Sequence, residues 1–316
     1  MADRKLVTAI QTLGHTQALK DGTVKPRGFD FQFEEVSPII RAFRRMVRGL
    51  EFDISEMALT TYVCAKAHGK RFTALPIFVV RAFHHVAILY NVKSGIKSPK
   101  DLEGKKVGVN RGYTVTTGVW ARGILQHEYG VDLDKVTWVL SGDEHVEEFR
   151  PGANVASMPQ DRTLEAMLAA GELDAAIGIA SDHPDLRPLI PDAAERGFRL
   201  LAEQGHYPIN HTIVVKDELL QAHPGLAQDI YDAFDQAKQL YLARLAKGEI
   251  DSPTQADRTY QRVMQTLGGD PLPYGLEPNR AMVDTVIRYA REQGIIDRAY
   301  TANELFAPVR ASTRSA

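Results

Sequence analysis

The stretch Arg81-Ala82-Phe83-His84-His85 sets a guanidinium and two imidazoles at the head of an apolar run, Val86-Ala87-Ile88-Leu89-Tyr90. A guanidinium can hold a carboxylate in a bidentate fork. An imidazole can give or take a proton near neutral pH. Read as a strand, the stretch puts Arg81 and His85, four residues apart, on one face and His84 on the other. Buried charge is costly unless paired, so these groups are expected to reach water or a ligand beyond a sheet edge. The plainer alternatives are that Arg81 pairs with a structural acid and His85 caps a loop.

Other residues of the same chemical kinds recur where strands are expected to end. His15 follows the first of them, in Leu13-Gly14-His15-Thr16. Ser55-Glu56 ends another, and Glu56 could act as a base, orient a histidine or salt-bridge Arg81. Asn110-Arg111-Gly112-Tyr113-Thr114-Val115-Thr116-Thr117 joins a strand to a helix. Free N–H groups and hydroxyls at such a helix start attract anions, Gly112 lets the backbone come close, and Thr114 could equally serve as an ordinary N-cap. Asp182-His183 and Asn210-His211 complete the set, with His211 on a strand returning from the second half of the chain. Asp143, Glu144 and His145, taken with His183, could suggest a metal site. Consecutive residues lack the spacing that puts ligands on one face, and no Cys/His pattern supports them. Walker, dinucleotide and Gly-x-Ser-x-Gly motifs are absent. Cys64, between Val63 and Ala65 in an expected helix, reads as core.

The elements that must carry these residues follow from periodicity. Strands are expected at residues 5–12, 29–33, 52–55, 72–80, 84–92, 106–110, 136–140, 174–179 and 211–215, and helices at 39–50, 59–68, 114–129, 164–170, 226–245 and 279–293. The alternation implies parallel sheets with crossover helices. Arg41, Arg44, Arg45 and Arg48 form a basic stripe on the first long helix, which reads as a solvated face rather than a nucleic-acid site. Residues 270–278 form a proline-rich loop.

At 316 residues the chain exceeds the usual size of one core. Two α/β lobes are expected, residues 1–94 with 211–316 and an inserted lobe of residues 95–210, with ligand bound beyond strand carboxyl ends in the cleft between them. The net charge of −2 argues against a general nucleic-acid binder. A single cysteine excludes an internal disulfide. The opening MADRKLVTAI has no secretory pattern and no run has transmembrane length, so the expected location is the cytoplasm.

The run Ser98-Pro99-Lys100-Asp101-Leu102-Glu103-Gly104-Lys105-Lys106-Val107-Gly108-Val109, with Gly171-Glu172-Leu173-Asp174-Ala175-Ala176, resembles the second lobe of the type II periplasmic-binding-protein fold. A narrower resemblance rests on Ala18–Gly22, Glu51–Met57, Pro76-Ile77-Phe78, Arg81–His85, Trp120–Leu125, Glu128–Val131 and Tyr207–Thr212. Together these segments resemble the 4,5-dihydroxyphthalate decarboxylase family, although the family pattern favours arginine where this chain has His84. The resemblance implies a two-lobed α/β fold of the type II periplasmic-binding-protein kind. It also implies a cytoplasmic carboxy-lyase without an organic cofactor, converting 4,5-dihydroxyphthalate to 3,4-dihydroxybenzoate and carbon dioxide.

On that expectation Arg81, Arg111 and the helix start at Gly112, Tyr113, Thr114 and Thr116 hold carboxylates. His84, Asp182 and Asn210 line the substrate, His85 is the first choice of acid, and His15, His211 or Glu56 serves the phenol. The partner is a small aromatic carboxylate, with neither nucleic acid nor membrane, and a homo-oligomer is compatible with the sequence. The alternative is a solute-binding protein that delivers an aromatic acid or similar anion to a membrane transporter. A ligand sensor, or a pyrimidine-precursor enzyme needing pyridoxal phosphate, is a third reading.

Overall fold

A computed structural model describes residues 4–310. Their strands are β1 (Arg4–Ala9), β2 (Phe29–Phe33), β3 (Ile54–Ala58), β4 (Phe72–Arg81), β5 (Ile88–Asn91), β6 (Lys106–Val109), β7 (Thr137–Leu140), β8 (Val155–Ser157), β9 (Ala175–Ile177), β10 (Leu186–Pro188) and β11 (Ile209–Lys216). They form two sheets, ordered β2-β1-β3-β11-β4 and β10-β5-β9-β6-β7-β8. The chain divides into two compact units, one of residues 1–81, 209–284 and 300–316, the other of residues 82–208 and 285–299.

In the first unit β1 pairs parallel with β2 and with β3, while β11 runs antiparallel to β3 and to β4. Phe29-Asp30-Phe31-Gln32-Phe33 alternates as a half-buried strand should. One apolar cluster joins Leu6, Ile54, Ile77 and Ile213 of the sheet to Leu226, Ile230 and Phe234 of the helix Leu226–Lys247. That helix buries its expected face, through Ala237, Tyr241 and Leu245.

In the second unit β9, β6, β7 and β8 are parallel neighbours, while β5 runs antiparallel to both β9 and β10. Leu89, Val139, Leu164, Leu168, Leu173 and Ala176 form its core cluster. Gly108 on β6 lets the helix Leu164–Ala169 pack closely, because a Cβ there would stand 2.8 Å from Leu164 Cδ2.

Three expectations are corrected. Residues 84–92 are not one strand. β4 ends at Arg81, His85–Ala87 form a 3₁₀ turn closed by Ala87 N–H to the His84 carbonyl at 3.0 Å, and only then does β5 begin. Val86, the first residue of the apolar run, is 44% exposed. Arg81 and His85 therefore share no strand face. Second, β5 belongs to the second sheet, so the first unit's N-terminal part stops at residue 81, not 94. Third, the helix expected from residue 114 starts at Thr116 behind Val115, so Thr114 is not its N-cap. The elements that periodicity does not announce include β8, β10, and the helices Ala193–Gln204 and Gln255–Leu267. Among the described residues no helix is long and apolar enough to cross a membrane.

Candidate active site

In the first unit the chemistry gathers where β1 and β3 end and β11 begins. After β1 the chain turns tightly, with Thr16 Oγ1 donating to the Gln11 carbonyl and accepting from Leu13 N–H, both at 2.8 Å. This holds Gln11 so that its backbone N–H and side-chain amide both donate to Glu56, at 2.9 and 2.7 Å. His211 lies opposite Ala58 and Ile213 opposite Glu56 across the β3–β11 ladder. Glu56 and His211 are thus diagonal neighbours on one face, and His211 Nδ1 is 2.6 Å from Glu56 Oε1.

Glu56 is 1% exposed. Burial pushes its pKa up, but the hydrogen bond and charge of His211 and the two Gln11 donors outweigh this and hold it below the usual carboxylate value. An ionised Glu56 fixes the proton on His211 Nδ1 and turns Nε2 away. The His211 side chain keeps 18% of its area exposed, lies edge-on to Phe43 at 5.0 Å, and its Nε2 makes no hydrogen bond among the described residues. Of the alternatives for Glu56, orienting a histidine is what the geometry shows, and Arg81 is not its partner.

His15 is 1% exposed and packs between Tyr241 and Tyr260, ring centroids 5.9 and 6.2 Å away. The Val79 carbonyl approaches it, yet neither ring nitrogen makes a hydrogen bond of ordinary geometry. Burial lowers its pKa to about 4, so it is neutral at pH 7. Arg81 is 7% exposed and its guanidinium donates to Asn279 Oδ1 and towards the Pro273 carbonyl. Asn279 donates in turn to the Pro273 and Gly275 carbonyls. Arg81 therefore braces the 273–279 loop, and that part of its fork is committed to the protein.

In the second unit Asn110 Nδ2 donates to the Gly178 carbonyl at 2.7 Å, and Arg111 N–H to Ser141 Oγ at 2.7 Å, tying three strand ends together. Arg111 has φ 72°, left-handed for a side-chain-bearing residue. Its exposed guanidinium has no partner among the described residues.

The anion site expected after Gly112 is filled by the chain itself. Glu144 accepts from Tyr113 N–H, from Thr114 N–H at 3.2 Å and from Thr114 Oγ1 at 2.7 Å. A Cβ on Gly112 would come within 2.7 Å of Glu144, so this glycine makes room for a protein carboxylate. Arg122, fully buried, sits 3.7 Å from the Tyr113 ring and donates to the Tyr113 carbonyl and to Gln293 Oε1. Thr116 is buried at the helix start.

His85 is 1% exposed and its Nε2 is 2.8 Å from Glu128, which also takes Arg196 at 3.0 Å. Burial pushes the Glu128 pKa up, but these two partners outweigh it and hold the carboxyl below its usual value. The other nitrogen of His85 is buried without a hydrogen bond. His85 thus bolts its turn to two helices, a geometry that disfavours the first choice of acid. His84 stacks on Trp120 at 6.3 Å. Asp182 is exposed, and Asn210 is half-buried on β11. Asp143, Glu144, His145 and His183 do not assemble, and among the described residues no group of three or more His, Cys, Asp or Glu could hold a metal ion. Gln11, Tyr260 and Asn279 were missed by sequence reasoning. Gln11 falls inside the strand expected at residues 5–12, whereas β1 ends at Ala9 and leaves it in the turn.

This architecture is that of the periplasmic binding proteins. The aliphatic sulphonate binding protein SsuA of Escherichia coli matches with TM-score 0.56 at 12% identity, over 96% of this chain and 97% of that one. The family model described as NMT1/THI5 like matches residues 54–244. A protein of Comamonas testosteroni named 4,5-dihydroxyphthalate decarboxylase is 30% identical over 98% of both chains. Another of that name from Pseudomonas putida is 34% identical over 62% of this chain and 82% of its own. The chain belongs to the NMT1/THI5-like family and to the family of the 4,5-dihydroxyphthalate decarboxylases.

Proposed function

We propose that this protein is a cytoplasmic carboxy-lyase that converts 4,5-dihydroxyphthalate to 3,4-dihydroxybenzoate and carbon dioxide. The names of its relatives support the substrate. The observation that carries the chemistry is the Glu56–His211 pair, a buried ionised carboxylate orienting an imidazole whose Nε2 is unengaged.

Each carboxylate of the substrate is para to a hydroxyl. Electron release from that oxygen makes the carboxylate-bearing carbon basic. Protonated His211 gives its Nε2 proton to this carbon, so a C–H bond forms as the N–H bond breaks. The C–CO₂ bond then breaks, its electron pair restores the aromatic ring, and His211 is reprotonated from water. Glu56 stabilises the imidazolium and holds its orientation.

The test is to incubate purified protein with 4,5-dihydroxyphthalate and follow carbon dioxide and 3,4-dihydroxybenzoate. Turnover is expected. Tight binding without product, in the presence or absence of divalent metal, would instead favour a solute receptor. Cell fractionation checks the location.

A further inference from the structure

The sheet end that carries His211 holds two more polar groups that the proton transfer does not use. His15 is buried and, although the Val79 carbonyl approaches it, neither ring nitrogen makes a hydrogen bond of ordinary geometry. Leaving a buried polar group without a good hydrogen bond is costly, so its retention calls for a partner. Tyr260 packs edge-on against it, with centroids 6.2 Å apart, from the helix Gln255–Leu267. Its hydroxyl makes no hydrogen bond among the described residues. The neighbouring tyrosine differs, because Tyr241 donates its hydroxyl to Asp257. Tyr260 also feels the charges of Arg81 and Glu56, while burial raises its pKa to about 12, so it stays a phenol and a donor. Asp257, which holds Tyr241, caps its own helix through Thr254. Gly14 lets Tyr241 lie close, since a Cβ there would be 2.3 Å from its ring.

We infer that Tyr260 and His15 form the subsite that reads the ring hydroxyls of the substrate. Tyr260 donates to a hydroxyl oxygen, and neutral His15 exchanges a hydrogen bond with the adjacent hydroxyl. Neither transfers a proton to carbon. This rests on the aromatic substrate class proposed above and adds what selects a hydroxylated ring over a bare one. A site built to pair with a hydroxyl leaves its own groups unsatisfied when an unhydroxylated analogue binds.

The experiment measures Kd by calorimetry for 4,5-dihydroxyphthalate and for phthalate, on the intact protein, Tyr260→Phe and Tyr241→Phe. The wild type should prefer the dihydroxy compound. Tyr260→Phe should lose about tenfold of that preference, the scale of one neutral hydrogen bond, and Tyr241→Phe should keep it. A preference unchanged in Tyr260→Phe, or absent from the wild type, overturns the inference. Should Tyr260→Phe not fold, the ¹⁵N shift of His15 in the wild type decides. A response to dihydroxyphthalate and not to phthalate supports the subsite, and an equal or absent response overturns it. Turnover without hydroxyl preference sinks only this subsite, preference without turnover sinks only the decarboxylase reading, and a wild type that binds neither compound overturns both.

Discussion

At the scale of single residues, two histidines on the same sheet end differ because their surroundings differ. Glu56 gives His211 a hydrogen-bonded charged partner, whereas His15 is packed between two tyrosine rings and makes no such bond. The second case has a stability consequence. The folded pKa of His15 is about 4 against 6.5 unfolded. Between those values the unfolded chain binds the extra proton, so stability falls as pH drops from 6.5 to 4 and changes no further below. The size is about 3 kcal/mol for the full shift. Urea unfolding at pH 7 and pH 4 should show that loss in the wild type and a correspondingly smaller one in His15→Phe. Equal losses would contradict the burial argument. Glu56→Gln should leave the fold and reduce kcat about 10–100-fold, read in steady-state kinetics, because His211 loses its charge partner.

At the scale of elements, the sequence showed which strand ends matter but not how they are joined. That His15, Glu56 and His211 share one sheet end was legible from their places near expected strand ends. Gln11 and Tyr260 were not, since their roles come from neighbours far along the chain. The helix Gln255–Leu267 buries only Asp257, Tyr260 and Val263, too thin an apolar stripe to announce a helix. The strand read at residues 84–92 failed for another reason. Val86 through Tyr90 has the composition of a strand, but the chain spends His85–Ala87 on a turn before β5.

That turn is where His85 binds Glu128. His85→Gln should lower stability by about 1–2 kcal/mol in denaturant melts, with kcat changed only a few-fold. A collapse of kcat at unchanged stability would return His85 to the mechanism. Gly14→Ala should cost about 1–3 kcal/mol in the same melts, because its Cβ would overlap the Tyr241 ring.

At the scale of the whole molecule, each unit carries its own sheet, and in each the chemistry-bearing residues collect at the carboxyl ends of parallel strands. The alternation of strands and helices made both sheets readable, and the two antiparallel returns, β5 and β11, were the harder part. The proposed reaction draws its electrons from the substrate's own hydroxyl, so the protein has only to orient a proton donor and hold carboxylates. Dialysis against a chelator should therefore leave turnover intact, measured as carbon dioxide release before and after metal is restored. A strict metal requirement would contradict that division of labour.

The central claim is that His211, held by Glu56, delivers the proton to the ring. It is tested most directly by comparing His211→Gln with the wild type on 4,5-dihydroxyphthalate, recording kcat together with Kd for the substrate. The account predicts a fall in kcat of about 10²–10⁴-fold while the substrate still binds. Wild-type kcat in the His211→Gln protein would contradict it.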